Sequence, residues 1–139
     1  MTIEVDNFDG GQNSRFSIVG LPDNAVKESQ ERVQSALRVN GYKAPFRSVV
    51  VNLAPADVRK EGSGFDLPMA VGVMLSFEFL KIDTPDRYMF VGELGLDGSI
   101  LPVKGVLPIS VKAREMGYEA LFVPAENARE AAVVNKLKV

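Results

Sequence analysis

The sequence predicts an α/β (α+β) domain in which helices flank a mixed sheet, and three observations support this class. Strand-like runs alternate with helix-length segments in the order β-β-α-β-α-β-β-α-β-α. Some neighbouring strands are joined by turn-rich segments and others by helices, so both antiparallel and parallel pairing is expected. At 139 residues and 46% apolar content, the chain suits one core, and we predict a single domain over residues 1–139.

The first two strands are predicted to form a hairpin. Ile3 and Val5 alternate with polar neighbours, and Phe16 and Ile18 repeat the pattern. Turn-forming residues separate the two runs, in the segment Asp6-Asn7-Phe8-Asp9-Gly10-Gly11.

A helix is predicted to follow and to run to about Val39. Asp23 or Asn24 can cap its N-terminus, and Asn40-Gly41 supplies the left-handed stop. Small and apolar residues mark the inner face: Val26, Ser29, Val33, Ala36 and Leu37. Charged residues are expected to point outward, with Glu28 and Arg32 forming an i,i+4 pair: Lys27, Glu28, Glu31 and Arg32.

The most distinctive stretch covers residues 49–74. A β-branched strand at residues 49–53 leads through a charged loop with two glycines into an almost wholly apolar helix. The helix is predicted to begin at Asp66, whose side chain would cap it, and to end near Leu80. A strand, a mobile polar loop and a capped helix N-terminus are typical of a functional site.

The remaining chain predicts a strand at residues 88–91, a hairpin, a helix, a strand and a final helix. Asp97-Gly98 favours a type I′ turn in the hairpin. Pro108 suits the first turn of a helix that runs through Met116 and is closed by Gly117. The last helix is expected over residues 126–134, and residues 134–139 alternate like a strand that has been cut.

Composition excludes several classes of chemistry. The chain has no cysteine and no histidine, which rules out thiolate nucleophiles, Ser-His-Asp catalysis and the usual transition-metal ligands. Its net charge of −2 and pI of about 5.2 give no overall basic field for nucleic acid. It carries no secretory signal and no apolar run of about 18 residues, so we predict a soluble, cytoplasmic protein with no membrane partner.

Without histidine, the remaining hydrolytic option is a Ser-Lys dyad. Ser63 lies in the glycine loop, and Lys104 or Lys112 could approach it as the base. The alternative is a solvated loop serine, which the flanking glycines favour. Asp66 could be a general base or a metal ligand, although helix capping is the commoner use of such an aspartate.

Metal and phosphate sites are not expected in this chain. The spacing of Asp57, Glu61 and Asp66 matches no calcium loop, so we predict no metal site. No Gly-x-x-x-x-Gly-Lys-Ser/Thr motif occurs, and the glycines of residues 92–98 are explained by the hairpin, so we expect no cofactor in the chain itself.

Five motifs together resemble the N-terminal domain of the magnesium-chelatase-like AAA+ ATPases, the competence-associated YifB/ComM family. They are Ile18-Val19-Gly20-Leu21-Pro22-Asp23 with Val26-Lys27-Glu28-Ser29, Val51-Asn52-Leu53-Ala54-Pro55-Ala56-Asp57, Lys60-Glu61-Gly62, Phe65-Asp66-Leu67-Pro68, and Gly92-Glu93-Leu94-Gly95-Leu96-Asp97-Gly98 with Pro102-Val103-Lys104-Gly105-Val106-Leu107-Pro108. The resemblance implies the ribosomal-protein-S5 domain-2-like fold of the Lon proteolytic domain. It also implies that the chain is a fragment preceding an AAA+ ATPase module.

A residue-by-residue comparison with Lon proteases places the serine of the Lon dyad on Asp66. The lysine of the dyad falls on Ile109, and a shift of one or two residues gives Leu107, Pro108 or Ser110. Because none of these can serve as the proton-accepting lysine, the resemblance predicts a Lon-like fold without peptidase activity.

The family resemblance implies an accessory role in an ATP-driven ring that acts on DNA, as in branch migration during competence. The expected partners are the protein's own AAA+ module, the neighbouring subunits of a homo-oligomeric ring and, through local patches, DNA. ATP and Mg²⁺ are expected in the ATPase module alone. The loop that we expect to contact a partner or DNA contains Arg59, Lys60, Glu61 and Ser63. The acidic balance of the domain favours ring assembly over DNA contact.

Overall fold

The computed structural model describes residues 2–11, 14–42, 47–133 and 138–139. Its main elements, in chain order, are the strands and helices β1 (Thr2–Asp9), β2 (Phe16–Val19), α1 (Asn24–Val39), β3 (Arg47–Ala54), α2 (Asp66–Ser76), β4 (Tyr88–Phe90), β5 (Glu93–Leu94), β6 (Ile100–Leu101), α3 (Val106–Glu115), β7 (Ala120–Phe122) and α4 (Ala128–Ala131). This is the predicted mixed α/β arrangement.

The largest sheet has the strand order β1-β3-β2, with β3 in the centre. β1 pairs with β3 antiparallel, from Thr2 opposite Ala54 to Asp9 opposite Arg47, whereas β2 pairs with β3 parallel. The predicted hairpin between the first two strands is therefore wrong. Four of the predicted turn residues, Asp6 to Asp9, instead belong to β1, and the two strands lie on opposite sides of β3.

The main core lies where α1 and α2 pack on this sheet. Its buried side chains include Val51 and Leu53 of β3, Val26 and Val33 of α1 and Met69 of α2. β3 alternates between buried and partly exposed side chains over residues 49–54, as expected for a strand with one face on a core. α2 approaches β1 so closely that a Cβ at Gly72 would lie 2.5 Å from a side-chain methyl of Val5.

A second, smaller core lies under the parallel pair β4-β7, where α3 and α4 pack. It contains Val91, Val106, Leu121 and Ala131, with Met89, Val103 and Ile109 packed against it. Lys138 forms an isolated parallel bridge with Ala120 beside β7. The rest of the strand-like segment, residues 134–137, lies outside the described residues.

The hairpin of β5 and β6 is confirmed, but its turn is not type I′. That turn requires a positive φ at both central residues, and here Gly98 has φ +90° while Asp97 does not. The N–H of Gly98 donates to the carbonyl of Gly95 (3.0 Å), which closes a tight turn before the left-handed glycine. The hairpin packs against α1, where Asn40 Nδ2 donates to the carbonyl of Asp97 (3.0 Å).

The helix ends confirm some local signals and correct others. Asp23 caps α1 through Val26 N–H (2.8 Å), Gly41 has φ +86° beyond its end, and Gly117 closes α3 with φ +80°. Two bounds were wrong. α2 ends at Ser76 and not near Leu80, and the final helix is α4 with a preceding 3-10 turn, Ala125–Asn127.

Within the described residues, the helices are all too short or too polar to cross a bilayer.

Candidate functional site: a buried carboxylate and an open cleft

Asp66 does not cap α2. The cap position is occupied by Phe65, and the carboxylate of Asp66 points inward, where it is 0% exposed. It accepts hydrogen bonds from Ser29 Oγ (2.5 Å), Arg32 Nε (2.6 Å) and Arg32 Nη2 (3.1 Å). The backbone N–H of Leu94 adds a fourth, at 3.0 Å. The predicted capping role is therefore wrong, and the side chain instead joins α1, α2 and β5.

Arg32 was expected on the outer face of α1, and this is also wrong. Its side chain is only 18% exposed and grips Asp66 in the two-point geometry that an arginine fork allows. The hydrogen bond to Asp66 raises the pKa of Arg32 above its usual value, against the desolvation that lowers it. The predicted pair with Glu28 is present at 3.5 Å on the exposed side of the same guanidinium.

Ile109, which the comparison with Lon predicts at the position of the dyad lysine, carries no base. Ile109 is an apolar residue that packs against the smaller core. Of its neighbours, Leu107 is an exposed apolar residue, and Ser110 is buried with its hydroxyl donating to the carbonyl of Val106 (2.9 Å). The two residues predicted at the Lon dyad positions are thus an ion-paired carboxylate and a hydrocarbon side chain.

An open cleft of about 1040 Å³ lies along the side of α2 that carries Pro68, Val71 and Leu75, and Asp66 does not line it. It is bordered by the loop before α2, one side of α2, the strand β4, the start of β1 and one side of α3. Residues at helical spacing line it from α2 and from α3, and they are Pro68, Val71, Gly72, Leu75, Ile109, Lys112 and Met116.

The cleft brings together the three residues of the possible Ser-Lys dyad. Ser63, Lys104 and Lys112 all line it. Among the described residues, however, Ser63 Oγ makes no hydrogen bond with either lysine, and the backbone carbonyl of Ser63 accepts from Asp66 N–H (3.2 Å). Sequence reasoning therefore placed these residues in one site, but the paired geometry of a dyad is not formed.

The glycine loop before α2 is less open than predicted. Lys60 is only 2% exposed, its Nζ donates to the carbonyl of Pro55, and its backbone bridges to Pro22. Its ammonium group cannot contact a partner at the surface, which corrects the expectation for this residue. Arg59 and Glu61 remain exposed and pair with each other at 3.4 Å.

With this geometry established, comparison with known proteins identifies the family. The family model described as subunit ChlI of Mg-chelatase matches residues 3–127. The chain belongs to this family.

The relatives of this ChlI-type domain agree with the assignment. It is 42% identical over 135 residues to competence protein ComM of Haemophilus influenzae, covering 97% of this chain and 26% of ComM. It is 38% identical over 136 residues to the uncharacterized protein YifB of Salmonella typhimurium, covering 98% of this chain and 26% of YifB. The chain thus spans about a quarter of the length of these relatives.

A more distant relative is Lon protease 2 of Bacillus subtilis, 29% identical over 102 residues, which cover 73% of this chain and 18% of that protease. This similarity fits the Lon-like fold implied by the motifs. The ChlI-type domain therefore combines a mixed α/β fold related to that of Lon with Asp66 and Ile109 at the compared positions.

No metal centre is formed by the described part of this ChlI-type domain, in which no three carboxylates are grouped as ligands. Asp66 is fully engaged by donors, and Glu61 pairs with Arg59. The buried carboxylate of Asp66 therefore does not join Asp57 and Glu61 in a cation site.

Sequence reasoning missed the partners of Asp66. Ser29 and Arg32 lie 37 and 34 residues before Asp66 in the chain. The residues around each of them indicate a place on helix α1 but not a contact with Asp66. Only one local signal was available. Ser29 is a polar residue on the inner face of α1, and such a residue requires a buried partner.

Proposed function

We propose that this chain is a non-catalytic, Lon-like accessory domain of a magnesium-chelatase-like AAA+ ATPase that acts on DNA, and that it serves assembly of the ATPase ring. One observation carries the non-catalytic part. Asp66, which we place at the position of the Lon nucleophile, has no solvent exposure, and its carboxylate accepts four hydrogen bonds. A carboxylate so occupied has no oxygen available for a substrate.

The assembly role is supported by the surface around the loop at residues 59–64. Leu21 and Val58 are each 52% exposed. The carbonyl of Leu21 accepts a hydrogen bond from Lys60 N–H (3.0 Å), and Val58 lies two residues before Lys60. Leu21 has φ +56°, a conformation that is unfavourable for leucine and often marks a functional surface. This surface offers apolar groups, whereas its two basic residues are buried or ion-paired, which favours a protein partner over DNA.

The activity of the whole protein forms the second half of the proposal. Membership of the ChlI family and similarity to ComM support an ATPase module that uses ATP and Mg²⁺. In this arrangement the domain contacts its own ATPase module and the neighbouring subunits of a homo-oligomeric ring. DNA would be engaged by the assembled ring in the cytoplasm.

Assembly is tested by one surface variant in the protein that contains the ATPase module. We expect Val58→Lys to weaken ATP-dependent ring formation, measured by light scattering after size exclusion. Val39→Lys is the matched control, because Val39 is also an exposed apolar residue but lies at the far end of α1. Equal ring formation by the two variants would contradict the assembly role.

DNA action is tested by binding of single-stranded and branched DNA across a salt series. We expect the ATPase-containing protein to bind with a salt-dependent affinity and the 139-residue chain to bind weakly. Absence of binding by both, or a flat salt response, would exclude the DNA role.

A second candidate, a relocated Ser-Lys peptidase, is favoured by the meeting of Ser63, Lys104 and Lys112 at one cleft. It is tested by incubating the chain with unfolded casein and analysing fragments by mass spectrometry. We expect no cleavage. Cleavage that is abolished by Ser63→Ala would establish the peptidase and remove the non-catalytic assignment.

A further inference from the structure

One side of the cleft is formed by the backbone of a strand, in addition to the side chains that line it. Tyr88, Met89, Phe90 and Val91 all line it. Successive side chains of a strand point to opposite faces, so four consecutive residues border one cavity when the cavity runs along the edge of the strand. β4 is such an edge, because within the described parts of the chain its sheet contains only β7 as a partner.

Hydrogen bonds show which way this edge points. Val91 N–H donates to the carbonyl of Phe122 in β7 (3.0 Å), while Gly92 N–H points to the other side and donates to Gly64 (3.1 Å). Phe90, two residues before Gly92, directs its N–H and C=O to that same side, toward the cleft. Within the described residues these two groups have no backbone partner.

From this edge we infer that the cleft binds an extended polypeptide segment of another protein, which adds to β4 as a further strand. The inference rests on the proposed non-catalytic function, because the bound segment would be held and not cut. Strand addition is a general mode of peptide recognition in which backbone hydrogen bonds supply affinity and flanking pockets supply sequence preference.

The opposite side of the cleft fits the same occupant. Thr2 and Ile3 also line it, and β1 is the outer strand of the larger sheet, with an edge away from β3 that no other described strand pairs with. One side of α2 lies between the two sheets and offers a glycine and aliphatic residues. A bound strand would lie over α2 and extend the smaller sheet toward the larger one.

The side chains around the cleft define the chemistry of the segment. Apolar and aromatic residues dominate the lining, including Phe65, Val71, Leu75 and Ile109, which favours apolar side chains in the bound strand. Lys104 and Lys112 line the cleft without a carboxylate within 4.0 Å among the described residues, so an acidic residue in the segment would complement them.

A nucleic acid fits these observations less well than a peptide. The cleft also carries the carboxylates of Glu61 and Asp86, so its lysines do not produce a basic channel. Nucleotides also lack the alternating amide donors and acceptors that would satisfy Phe90.

The experiment uses the 139-residue chain and a fluorescein-labelled peptide that alternates leucine and threonine and ends in glutamates. Binding is followed by fluorescence anisotropy. Three further probes are the same peptide ending in lysines, the same peptide with N-methylated backbone amides, and oligothymidine. We expect binding of the glutamate peptide, weaker binding of the lysine peptide, and loss of binding on N-methylation, which removes the backbone donors.

Matched variants locate the site. Lys104→Glu with Lys112→Glu should weaken the glutamate peptide by roughly tenfold or more. Lys27→Glu with Lys81→Glu carries the same charge change at exposed positions that do not line the cleft, and should bind within about twofold of the unchanged chain. Both double variants are checked for folding by circular dichroism.

The outcomes separate this inference from the proposed function. No peptide binding, or equal binding of the N-methylated peptide, overturns strand addition and leaves the non-catalytic assignment intact. Tighter binding of oligothymidine at the same lysines also overturns it. Cleavage of the bound peptide would retain the cleft as a peptide site and overturn the non-catalytic assignment instead.

Discussion

Asp66 and Ser63 are three residues apart in the chain, yet they stand in opposite environments. Asp66 has no exposed surface, and donors from two elements, α1 and β5, occupy its carboxylate. Ser63 borders an open cleft, and its hydroxyl has no hydrogen-bond partner among the described residues. A reactive residue type is therefore a poor guide to function on its own. What separates the structural group from the available one is whether its bonding capacity is already filled.

The largest expected effect comes from removing the partner of the buried carboxylate. Arg32→Ala leaves the charge of Asp66 buried with only Ser29 and Leu94 as donors, and should lower the free energy of unfolding by about 3–5 kcal/mol. The measurement is urea denaturation followed by circular dichroism. Lys27→Ala on the exposed face of α1 is the control, and a loss for Arg32→Ala below about 1 kcal/mol would mean that the ion pair is not a structural link.

A smaller effect is expected where the cleft wall is held by an amide. Asn127 accepts from Val103 N–H (3.0 Å) and donates to its carbonyl (2.9 Å). Asn127→Ala leaves both backbone groups unpaired beside the cleft and should cost about 2 kcal/mol in thermal or urea unfolding. Glu126→Ala, at the exposed neighbouring position, should change stability little. If the two variants were equally stable, the wall would not depend on this amide.

Two polar residues of the open cleft, Ser63 and Lys112, should contribute almost nothing to stability. Ser63→Ala and Lys112→Ala should each change the free energy of unfolding by less than about 0.5 kcal/mol, because neither removes a buried contact. The same urea titration checks them. A destabilisation as large as that of Arg32→Ala would mean that these cleft residues contribute as much to stability as the buried Asp66–Arg32 pair does.

The smallest effect concerns the pKa of an exposed carboxylate. The backbone N–H and hydroxyl of Ser99 donate to Asp97 and hold its pKa below the ordinary 3.8. Because the folded pKa is lowered, the associated stability is present above 3.8 and is lost as pH falls through the folded value. An NMR titration should give a midpoint below 3.8, and Ser99→Ala should raise it partway, since the backbone donor remains. An unchanged midpoint in that variant would show that the hydroxyl has no role.

Local signals in the sequence predicted the elements that depend on local contacts. Asp23 and Gly41 marked the ends of α1 because a cap and a left-handed stop involve residues within one helical turn. The pairing of β1 and β2 was not predictable in the same way. Both strands pair with β3, which follows them after a helix, and the apparent turn formers Asp6 to Asp9 are paired residues of β1, so they gave a misleading hairpin signal.

The candidate site shows the same difference between what local signals predict and what long-range contacts decide. Family resemblance located Asp66 at the nucleophile position, and the sequence brought Ser63 and the two lysines into one hypothesis. It did not reveal that Arg32 turns inward or that Lys60 is buried, because an arginine or lysine with exposed neighbours is normally solvated. Those outcomes depend on a partner or a carbonyl that is brought close only by the tertiary fold.

The central place of β3 also determines when the domain can fold as it is synthesised. β1 and β2 do not pair with each other, so the sheet has no strand pair until β3, which ends at Ala54, has left the ribosome. Until then the apolar faces of β1, β2 and α1 have no sheet to pack on, and they are exposed to chaperones and to premature association. The synthesis of β3 therefore sets the earliest point at which the amino-terminal half of the domain can fold.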